Sequence, residues 1–540
     1  MSTSPPADPP AFHYPIFSKN DLSAFWALFT DNFANLLVIS AVCKFVFGMP
    51  DALVFGRILP GAAFAILFGV AFYSWQAHRL AKREQRTDVT ALPYGISTPV
   101  MFVYLFGVMG PIYFATQDAT LAWQVGLGAG FLGGIVAALG ALVGPFVKKV
   151  TPRAGMLGTL SGIALVFIGV HALVFVFESP IVGFISLTVI LWGLVGRYRL
   201  PFNVPAGLLA LALGTVVALI LGESKLSAEG MSFNLPLPWF GDLLAGLKHL
   251  FTHSELFLVL IPVQVYNFVE TMNNVESAES KGDTYPVATA MAFDGVGTMV
   301  SAVFGSPFPT TVYIGHPGYK RIGARAGYAL GVGVVLLVAS VFGLMALLSN
   351  LVPMAATAPI LVYIAISLIS ESASAVHATH AMAIAMAMLP HVSALLTTKW
   401  ASLLKALEAA GAEKLPAAID TPLLIAALKD QGAHVVGHQA LAQGSILTGM
   451  IWGGFTALII DGEFQRAGWF SVAAGIMSSV GILHAPTLHA PSFTPIVIGY
   501  LLMGAFLVIY PLVAEVESLD EPEEPAEPAA PHTPQPAPED

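Results

Sequence analysis

Runs of roughly 17–25 apolar residues recur along this chain of 540 residues, and they constrain its fold more than any other feature. Their length matches a helix that crosses a bilayer and differs from the alternating ten-residue strands of outer-membrane barrels. Only 10% of the residues are charged, against about 25% in a typical soluble protein, and the mean hydropathy is +0.76. The sequence therefore predicts an all-α polytopic membrane protein.

The apolar runs form two sets of spans on either side of an amphipathic connector at roughly 236–252. The connector is predicted to lie along the membrane surface, because its apolar side chains are spaced for one helix face; they are Trp239, Phe240, Leu243, Leu244, Leu247 and Phe251. The first set of predicted spans comprises 24–47, 58–77, a broken segment 91–115, 122–146, 154–177, 180–195 and 203–222. The second set comprises 255–278, 287–304, a broken segment 306–322, 325–349, 353–370 and 378–398 with its continuation, which is either one span or a folded pair.

These runs divide the chain into seven predicted regions. The regions are a cytoplasmic N-terminal tail 1–20, a first seven-span repeat 21–222, the amphipathic connector 223–254, a second seven-span repeat 255–410, a polar loop 411–440, additional C-terminal transmembrane helices 441–513 and a tail 514–540. The last region is rich in Pro and Glu and contains nine acidic residues but no Lys or Arg. We predict that it is disordered.

Basic residues cluster on one side of the predicted spans. The clusters 78–86, 148–153, 197–199 and 320–325 follow the second, fourth, sixth and tenth spans, so all four lie on the same side. The positive-inside rule makes that side cytoplasmic. The sequence thus predicts a multi-pass protein of the inner (cytoplasmic) membrane with a cytoplasmic N-terminus. The N-terminus lacks a basic region followed by an apolar core, so we predict no cleaved signal peptide.

A polar stripe runs along the apolar segment 262–280, which reads PVQVYNFVETMNNVESAES. Its members recur every three or four residues and so share one helix face; they are Gln264, Asn267, Glu270, Thr271, Asn274 and Ser277. A carboxylate inside a membrane helix costs roughly 2.5–3.5 kcal/mol on insertion scales and usually faces a cavity or a partner. Glu270, with Asn267 and Asn274 on its face, is predicted to accept hydrogen bonds from a substrate N–H or to take and release a proton. A structural carboxylate is the alternative.

Two hydrophobic segments are broken by Gly and Pro, and they read ALPYGISTPVMFVY and SPFPTTVYIGHPGY. Broken backbone at membrane depth is tolerated only where it lines protein or a water-filled cavity. Half-helices starting after Pro99 and Pro317 would direct N–H groups into such a cavity and favour a substrate with acceptor atoms or partial negative charge. His316 is a proton-coupling candidate because imidazole titrates near physiological pH, with a hydrogen-bonded structural histidine as the alternative. The candidate substrate contacts beside the breaks are Tyr94, Ser97, Thr98, Thr310, Thr311, Tyr313 and His316.

An internal repeat relates the two sets of spans. TDNFANL surrounds the acid of the first span and VETMNNV that of the eighth, so Asp31 aligns with Glu270. Asn35 and Asn274 follow four residues later in each half. Seven spans per half is an odd number, so the halves enter the membrane in opposite directions and form an inverted repeat with the site at their interface. Asp31 is interpreted as a substrate and proton-coupling group or as a structural pairing partner, and Asp294 as a brace for a helix contact.

Motifs of soluble enzymes and motors are absent from the sequence. No Gly-rich loop ends in Lys-Ser/Thr, which excludes an ATP-driven motor of that class. The single cysteine, Cys43, excludes an intramolecular disulfide, and we predict no metal site at His377 and His380, which lie at a span entrance. We expect no enzyme activity and no cofactor beyond a coupling H⁺ or Na⁺. The expected partners are a small-molecule substrate and membrane lipids, and no nucleic acid.

Two stretches carry a resemblance to a known family. Within 292–320 the chain reads FDGVGTMVSAVFGSPFPTTVY, and within 354–398 it reads TAPILVYIAISLI. This order resembles the nucleobase–cation symporter-2 family of xanthine/uracil permeases, and its azaguanine-type purine permeases above all. There an Asp-x-x-Gly-Thr core leads into a Gly-Thr-Ser-Pro-x-Thr-Thr-Tyr loop, and here one residue is added between Pro307 and Thr310. The resemblance covers roughly residues 20–410.

The resemblance implies a uracil-permease-like fold of fourteen core spans, arranged as two inverted seven-span repeats and divided into a substrate-binding core and a gate. Substrate would lie between span eight and the broken spans three and ten. The family's span-eight carboxylate, which hydrogen-bonds the base, falls on Glu270, and the polar residue four positions later falls on Asn274. Where the family places a second carboxylate or glutamine in span ten, this chain has Tyr313 to His316. Dimerisation is common in the family, so a homodimer is expected.

Three functions remain open from the sequence. One is a proton- or cation-coupled symporter of a purine, pyrimidine or similar planar heterocycle, in which Asn274 and Thr311 supplement Glu270. Another is an anion carrier for sulfate, bicarbonate or a dicarboxylate, favoured by the half-helix N-termini and the missing second carboxylate, although Glu270 would repel an anion unless protonated. The third is a sensor or scaffold that holds partners through the loop 399–440 and the acidic tail, and the buried polar stripes disfavour it.

Overall fold

A computed structural model describes the protein over residues 14–150, 152–200, 204, 206–225, 231–252, 256–279, 281–313, 315–409, 422–485 and 489–513. Over these residues the backbone is mostly helical, as the apolar runs predict, and the chain is a multi-pass membrane protein. The tail 514–540, for which disorder was predicted, lies outside the described residues.

The first half follows the predicted spans in order, with one short strand in its broken segment. Its elements are α1 (Asp21–Val46), α2 (Asp51–Glu84), β1 (Tyr94–Ile96), α3 (Thr98–Thr116), α4 (Ala119–Val150), α5 (Arg153–Glu178), α6 (Pro180–Val195) and α7 (Ala206–Leu221). Local chemistry sets the end of α2. Gln85 adopts a left-handed conformation at φ +53°, and Lys82 and Arg83 lie in the last turn, where cations complement the helix dipole.

The second half repeats this order behind the connector helix. Its elements are α8 (Phe240–Thr252), α9 (Phe257–Glu279), α10 (Val287–Val303), β2 (Thr310–Val312), α11 (His316–Arg321), α12 (Gly327–Val341), α13 (Leu344–Leu351), α14 (Met354–Ser374) and α15 (Ala381–Ala409). Because α15 is one helix, the continuation of 378–398 is not a folded pair. The remaining helices are α16 (Pro422–Asp430), α17 (Val435–Ala442), α18 (Ser445–Ile460), α19 (Phe464–Ser479) and α20 (Pro495–Val513).

Eight helices among the described residues are long and apolar enough to cross a membrane, or up to ten if each of two bent pairs is one span. One pair is α12 with α13, bent by 84°, and the other is α17 with α18, bent by 88°. Gly343 and Gly444 stand at the bends, both with φ +71°. A side chain would strain that conformation, so glycine permits the two sharp turns. The predicted span 325–349 therefore corresponds to two helices, α12 and α13, that meet at a sharp bend.

The two broken segments meet in the interior as an antiparallel pair of strands, β1 and β2. Tyr94 pairs with Val312, Gly95 with Thr311 and Ile96 with Thr310. All six residues are buried. The breaks at membrane depth were predicted and the strand pairing was not. The pairing satisfies backbone groups that would otherwise lie unpaired at membrane depth.

The helices pack into two groups, and the strands contact α2 of the first half and α9 and α10 of the second half. In one group α10 packs on α4 and α12 packs on α2, while in the other α5 packs on α14, α15 and α18. The contact between α4 and α10 is close, because a Cβ on Gly295 would stand 2.5 Å from the carbonyl oxygen of Gly134. A helical protein whose two halves each contribute a broken segment at their interface has an inverted-repeat transporter fold, which confirms the predicted fold class.

The connector departs from the prediction. Helix α8 packs on α4 and buries Leu243, Gly246 and Leu250, while Phe240 and Phe251 stay exposed. A Cβ on Gly246 would stand 1.7 Å from the carbonyl oxygen of Gln124 on α4. The apolar residues therefore lie on two faces of the helix, one packed against α4 and one exposed. Gly246 permits the close packing on α4.

Candidate functional site

Glu270 and Asn274 of α9 line a cavity of about 140 Å³, which we call the α9 cavity. Its walls come from α5, α9 and α14, and because α9 packs on α4 and α10, the cavity lies between the two groups of helices. Arg153 also lines this cavity. The lining residues are Arg153, Met156, Leu157, Leu160, Tyr266, Val269, Glu270, Asn273, Asn274, Leu368, Ser372 and Ala375.

Both strands are tied to α9 beside this cavity. Ser97 directly follows β1, and its Oγ donates a hydrogen bond of 3.1 Å to Oε2 of Glu270. Asn274 donates from Nδ2 to the carbonyl oxygen of Val312 at 2.7 Å. Val312 is the last residue of β2, so α9 fixes the ends of both strands at the cavity wall.

The first half makes the corresponding contact with its own strand. Asn35 of α1 donates from Nδ2 to the carbonyl oxygen of Ile96, the last residue of β1, at 3.1 Å. Thr98 donates to Oδ1 of Asn35 at 3.0 Å, and the Tyr313 hydroxyl donates to the Ile96 carbonyl at 2.7 Å. The two asparagines that the repeat aligns thus each hold the last residue of a strand. This shared geometry supports the alignment of Asn35 with Asn274.

Asp294 forms the buried brace on the other side of β2. Its Oδ2 accepts hydrogen bonds from the Thr271 hydroxyl at 2.7 Å and from the Val312 N–H at 2.9 Å. The Tyr73 hydroxyl of α2 donates to Oδ1. One carboxylate therefore ties α2, α9, α10 and β2 together, in agreement with the predicted role as a brace.

The predicted substrate contacts Tyr94, Thr310 and Thr311 are buried and do not line the α9 cavity. The Tyr94 hydroxyl donates to Oγ1 of Thr310 at 2.6 Å, and Thr311 Oγ1 lies 2.9 Å from the hydroxyl of Thr271. These groups hold the two strands against α9 and α10. They position the strands beside the site, and direct contact between these side chains and a substrate remains a prediction.

His316 lies in a separate buried network at the start of α11. Its Nε2 is 3.1 Å from Oδ2 of Asp283 and 3.1 Å from the carbonyl oxygen of Thr90. Lys320 and Arg86 also contact Asp283. Burial raises the pKa of Asp283, but hydrogen bonds from His316, Lys320 and the Thr90 N–H outweigh it and lower that pKa overall. This geometry matches the alternative of a structural histidine.

Only part of the predicted polar stripe of α9 lines the α9 cavity. Gln264 donates to the Tyr104 hydroxyl at 2.8 Å, and both amide atoms of Asn267 are buried without a hydrogen-bond partner among the described residues. Glu270 and Asn274 alone of the stripe line the cavity. Asp31 lies on α1 with an exposed side chain and does not line the α9 cavity.

Sequence reasoning missed Arg153, Asn273 and Ser372 as cavity residues. Arg153 belongs to the basic cluster 148–153, which was explained as a membrane flank. Asn273 lies three residues after Glu270 and fits the spacing of the stripe, but only its neighbour Asn274 was assigned to it. Ser372 has no polar neighbour at helical spacing that would single it out. Within the described residues no group of three or more His, Cys, Asp or Glu side chains could hold a metal ion.

Comparison with known proteins gives likenesses of fold only. No protein-family model matches the chain, and no curated protein matches it. The transmembrane domain of a cyanobacterium bicarbonate transporter, BicA, is similar over 80% of this chain and 97% of its own, with 15% identity and a TM-score of 0.46. SLC26A9 is similar over 70% of this chain and 62% of its own, with 10% identity and a TM-score of 0.49. These values are too low to carry a substrate or a mechanism across.

Proposed function

We propose that this protein is a secondary active transporter that moves a nucleobase or a similar planar heterocycle across the membrane, coupled to a proton or another cation. The observation that carries the proposal is the Glu270 carboxylate on the wall of a cavity at the ends of both strands. Transporters place substrate sites at such junctions of broken segments between inverted repeats.

The cavity offers the chemistry that a heterocycle with N–H groups needs. The Glu270 carboxylate accepts hydrogen bonds from ring N–H groups, and the bond from Ser97 to its Oε2 helps to orient it. The side chains of Asn273 and Asn274 add amide groups, and Tyr266 adds an aromatic ring. These groups bind a flat, polar ring on its edge and on its face.

The size of the cavity favours a small ring. Its volume is about 140 Å³, close to the cavity of about 150 Å³ that holds one benzene ring in an engineered protein. A pyrimidine fits this volume, while a two-ring purine requires the helix groups to move apart. We propose that the group formed by α2, α4, α10 and α12 moves relative to the group formed by α5, α14, α15 and α18 during alternating access.

Glu270 is also the proposed coupling residue. A charged carboxylate is costly at membrane depth, and a proton removes that charge when the site must cross the membrane interior. Substrate binding and proton binding at this carboxylate therefore both change the energy of the same conformational step. Asp31 remains a second candidate for coupling. The cytoplasmic N-terminus, the inner membrane and the homodimer also remain proposals.

An anion carrier is the second candidate function, and Arg153 is the observation that favours it. Arg153 lines the same cavity as Glu270, and a guanidinium is suited to binding a carboxylate, sulfate or bicarbonate. Protonated Glu270 would then donate a hydrogen bond instead of repelling the anion. The two functions thus differ in which of two cavity side chains holds the substrate.

Thermal stability of the purified protein against a ligand panel tests both functions. The panel contains uracil, xanthine, adenine, guanine, hypoxanthine, sulfate, bicarbonate and succinate, with wild type, Glu270→Gln, Arg153→Gln and Glu279→Gln. Glu279 is the matched control, because it ends the same helix with an exposed side chain. A ligand at 100 times its Kd stabilises the native state by about 2.7 kcal/mol.

We expect nucleobases to raise the unfolding temperature of wild type and of Glu279→Gln, and Glu270→Gln to lose the effect. Uptake into proteoliposomes with and without a pH gradient should follow the same order. Equal nucleobase binding by Glu270→Gln and wild type would refute the site. A response to anions alone that Arg153→Gln abolishes would establish the anion carrier instead.

A further inference from the structure

A second cavity, of about 570 Å³, lies between the C-terminal end of α2 and the start of α10, and we call it the α2–α10 cavity. It shares no lining residue with the α9 cavity. Trp75, Gln76, Arg79 and Arg83 line it from α2, and Thr284 and Thr289 line it from the other side. Nothing in the proposed transport cycle uses these residues.

The α2–α10 cavity is positively charged. Arg79 and Arg83 lie one helical turn apart, and both are exposed. Arg83 shares Glu84 with Arg86, whereas within the described residues no carboxylate forms an ion pair with Arg79. The Arg79 guanidinium lies 5.5 Å from the ring centre of Trp75. The cavity therefore presents more positive than negative charge to an anion.

The start of α10 adds to this field. Helix α10 begins at Val287, and Thr289 of its first turn lines the cavity. The first N–H groups of a helix have no partner within it and carry a partial positive charge. Phosphate and other anions bind readily at such a helix start.

Gln76 supplies a second requirement that an anion alone does not meet. Its side chain is only 8% exposed and lines the cavity, and its Oε1 has no hydrogen-bond partner among the described residues. A buried carbonyl oxygen without a partner destabilises the fold. A ligand that donates a hydrogen bond to this oxygen relieves that destabilisation. The ligand that fits the cavity thus has an anionic group and, beside it, a hydrogen-bond donor.

The surroundings of the cavity point to the bilayer as the source of this ligand. Trp75 is 52% exposed beside the arginines, the arrangement typical of a membrane–water interface. Val296, on the outer face of α10, is 38% exposed and offers an apolar surface along which acyl chains can lie. Basic pockets between transmembrane helices at this level bind anionic lipid headgroups.

We propose that the α2–α10 cavity binds the headgroup of an anionic glycerophospholipid that carries a hydroxyl, with phosphatidylglycerol as the probe. The phosphate accepts hydrogen bonds from Arg79 and Arg83, and a headgroup hydroxyl donates to Oε1 of Gln76. A zwitterionic choline headgroup fits less well: it carries the same phosphate, but its trimethylammonium group is repelled by the arginines and has no N–H or O–H to donate to Gln76.

Native mass spectrometry of the full-length protein, titrated with single lipids, tests the proposal. Wild type should bind phosphatidylglycerol more tightly than phosphatidylcholine, and the double variant Arg79→Gln/Arg83→Gln should bind it roughly tenfold or more weakly. Lys82→Gln is the matched control, since Lys82 is exposed on the same helix and does not line the cavity. It should bind as wild type does.

Phosphatidylmethanol, an anionic phosphodiester without a hydroxyl, tests the role of Gln76. Wild type should bind phosphatidylglycerol more tightly than phosphatidylmethanol, and Gln76→Leu should bind the two lipids equally. This comparison does not require the double variant to fold. Equal binding of phosphatidylglycerol and phosphatidylcholine by wild type, or an equal loss in Lys82→Gln, would overturn the proposal. So would displacement of the lipid by inorganic phosphate at the lipid's own concentration, because the site would then belong to a soluble anion.

Discussion

Replacing Asp283 by alanine should be among the most destabilising changes outside the membrane-spanning segments. The carboxylate is fully buried and is shared by His316, Lys320 and Arg86. It also accepts the Thr90 N–H at 3.0 Å. Removing one partner of a buried charge pair costs about 3–5 kcal/mol. Lys320 and Arg86 are 14% and 32% exposed and recover water when the acid is lost, so we expect the lower end, about 3 kcal/mol.

Asp88→Ala is the matched control, because Asp88 contacts the same two cations. It lies 2.9 Å from Arg86 and 3.5 Å from Lys320, but it is 56% exposed. An exposed pair contributes roughly 0–1 kcal/mol, so its loss should be at most about one third of that for Asp283. Unfolding of both variants in mild detergent, followed by denaturant titration at neutral pH, measures the difference. Equal losses in the two variants would show that burial of Asp283 is not what gives this network its strength.

The pH dependence of folding stability is a second test of the same network. The pKa of Asp283 in the folded protein lies below its ordinary value of 3.8. The folded protein therefore binds this proton less readily than the unfolded chain, and the carboxylate stabilises the fold above that ordinary value. That stability is lost as the pH falls through the lowered pKa. The gap between wild type and Asp283→Ala should stay constant near neutral pH and narrow in acid below about pH 4.

Two further predictions concern the strands. Gly69→Ala should destabilise the fold by about 1–3 kcal/mol, since the new Cβ would stand 1.8 Å from the buried ring of Tyr94; Gly499→Ala, with no atom within 4 Å of its Cβ, should be neutral in the same unfolding assay. Asn35→Ala and Asn274→Ala should each lower stability by about 0.5–1.5 kcal/mol, because each removes an amide hydrogen bond to a buried strand carbonyl, although the Tyr313 hydroxyl still donates to that of Ile96. A loss in only one of the two asparagine variants would contradict their equivalence.

The sequence predicts the order of the helices because bilayer thickness allows so few alternatives. The repeat was visible because both halves keep an acid and, four residues later, an asparagine. What the asparagines do was not predicted: Asn35 and Asn274 hold strand ends. Three-residue strands between Gly and Pro leave no periodicity to detect, since alternation needs about four residues or more.

The site was predicted in part, and the reason lies in the partners of each side chain. Spacing placed Glu270 and Asn274 on one face, and both line the α9 cavity. The same spacing placed Gln264 on that face, although its amide is used by Tyr104. Spacing gives direction along a helix but not which neighbour packs there. Arg153 shows the converse, because a residue at a helix start has no periodic pattern, and only tertiary packing brings it to the cavity.

The strand pair between the two halves also bears on how the chain is made. Tyr94 and Thr310 meet in the interior although they are 216 residues apart, so β1 has no partner until the second half has been synthesised and inserted. Unpaired backbone is not tolerated in contact with lipid, and contacts this distant in sequence form slowly. The first half must therefore keep its broken segment shielded or hydrated during biogenesis, and closure of the strand pair marks the point at which the two halves become one protein.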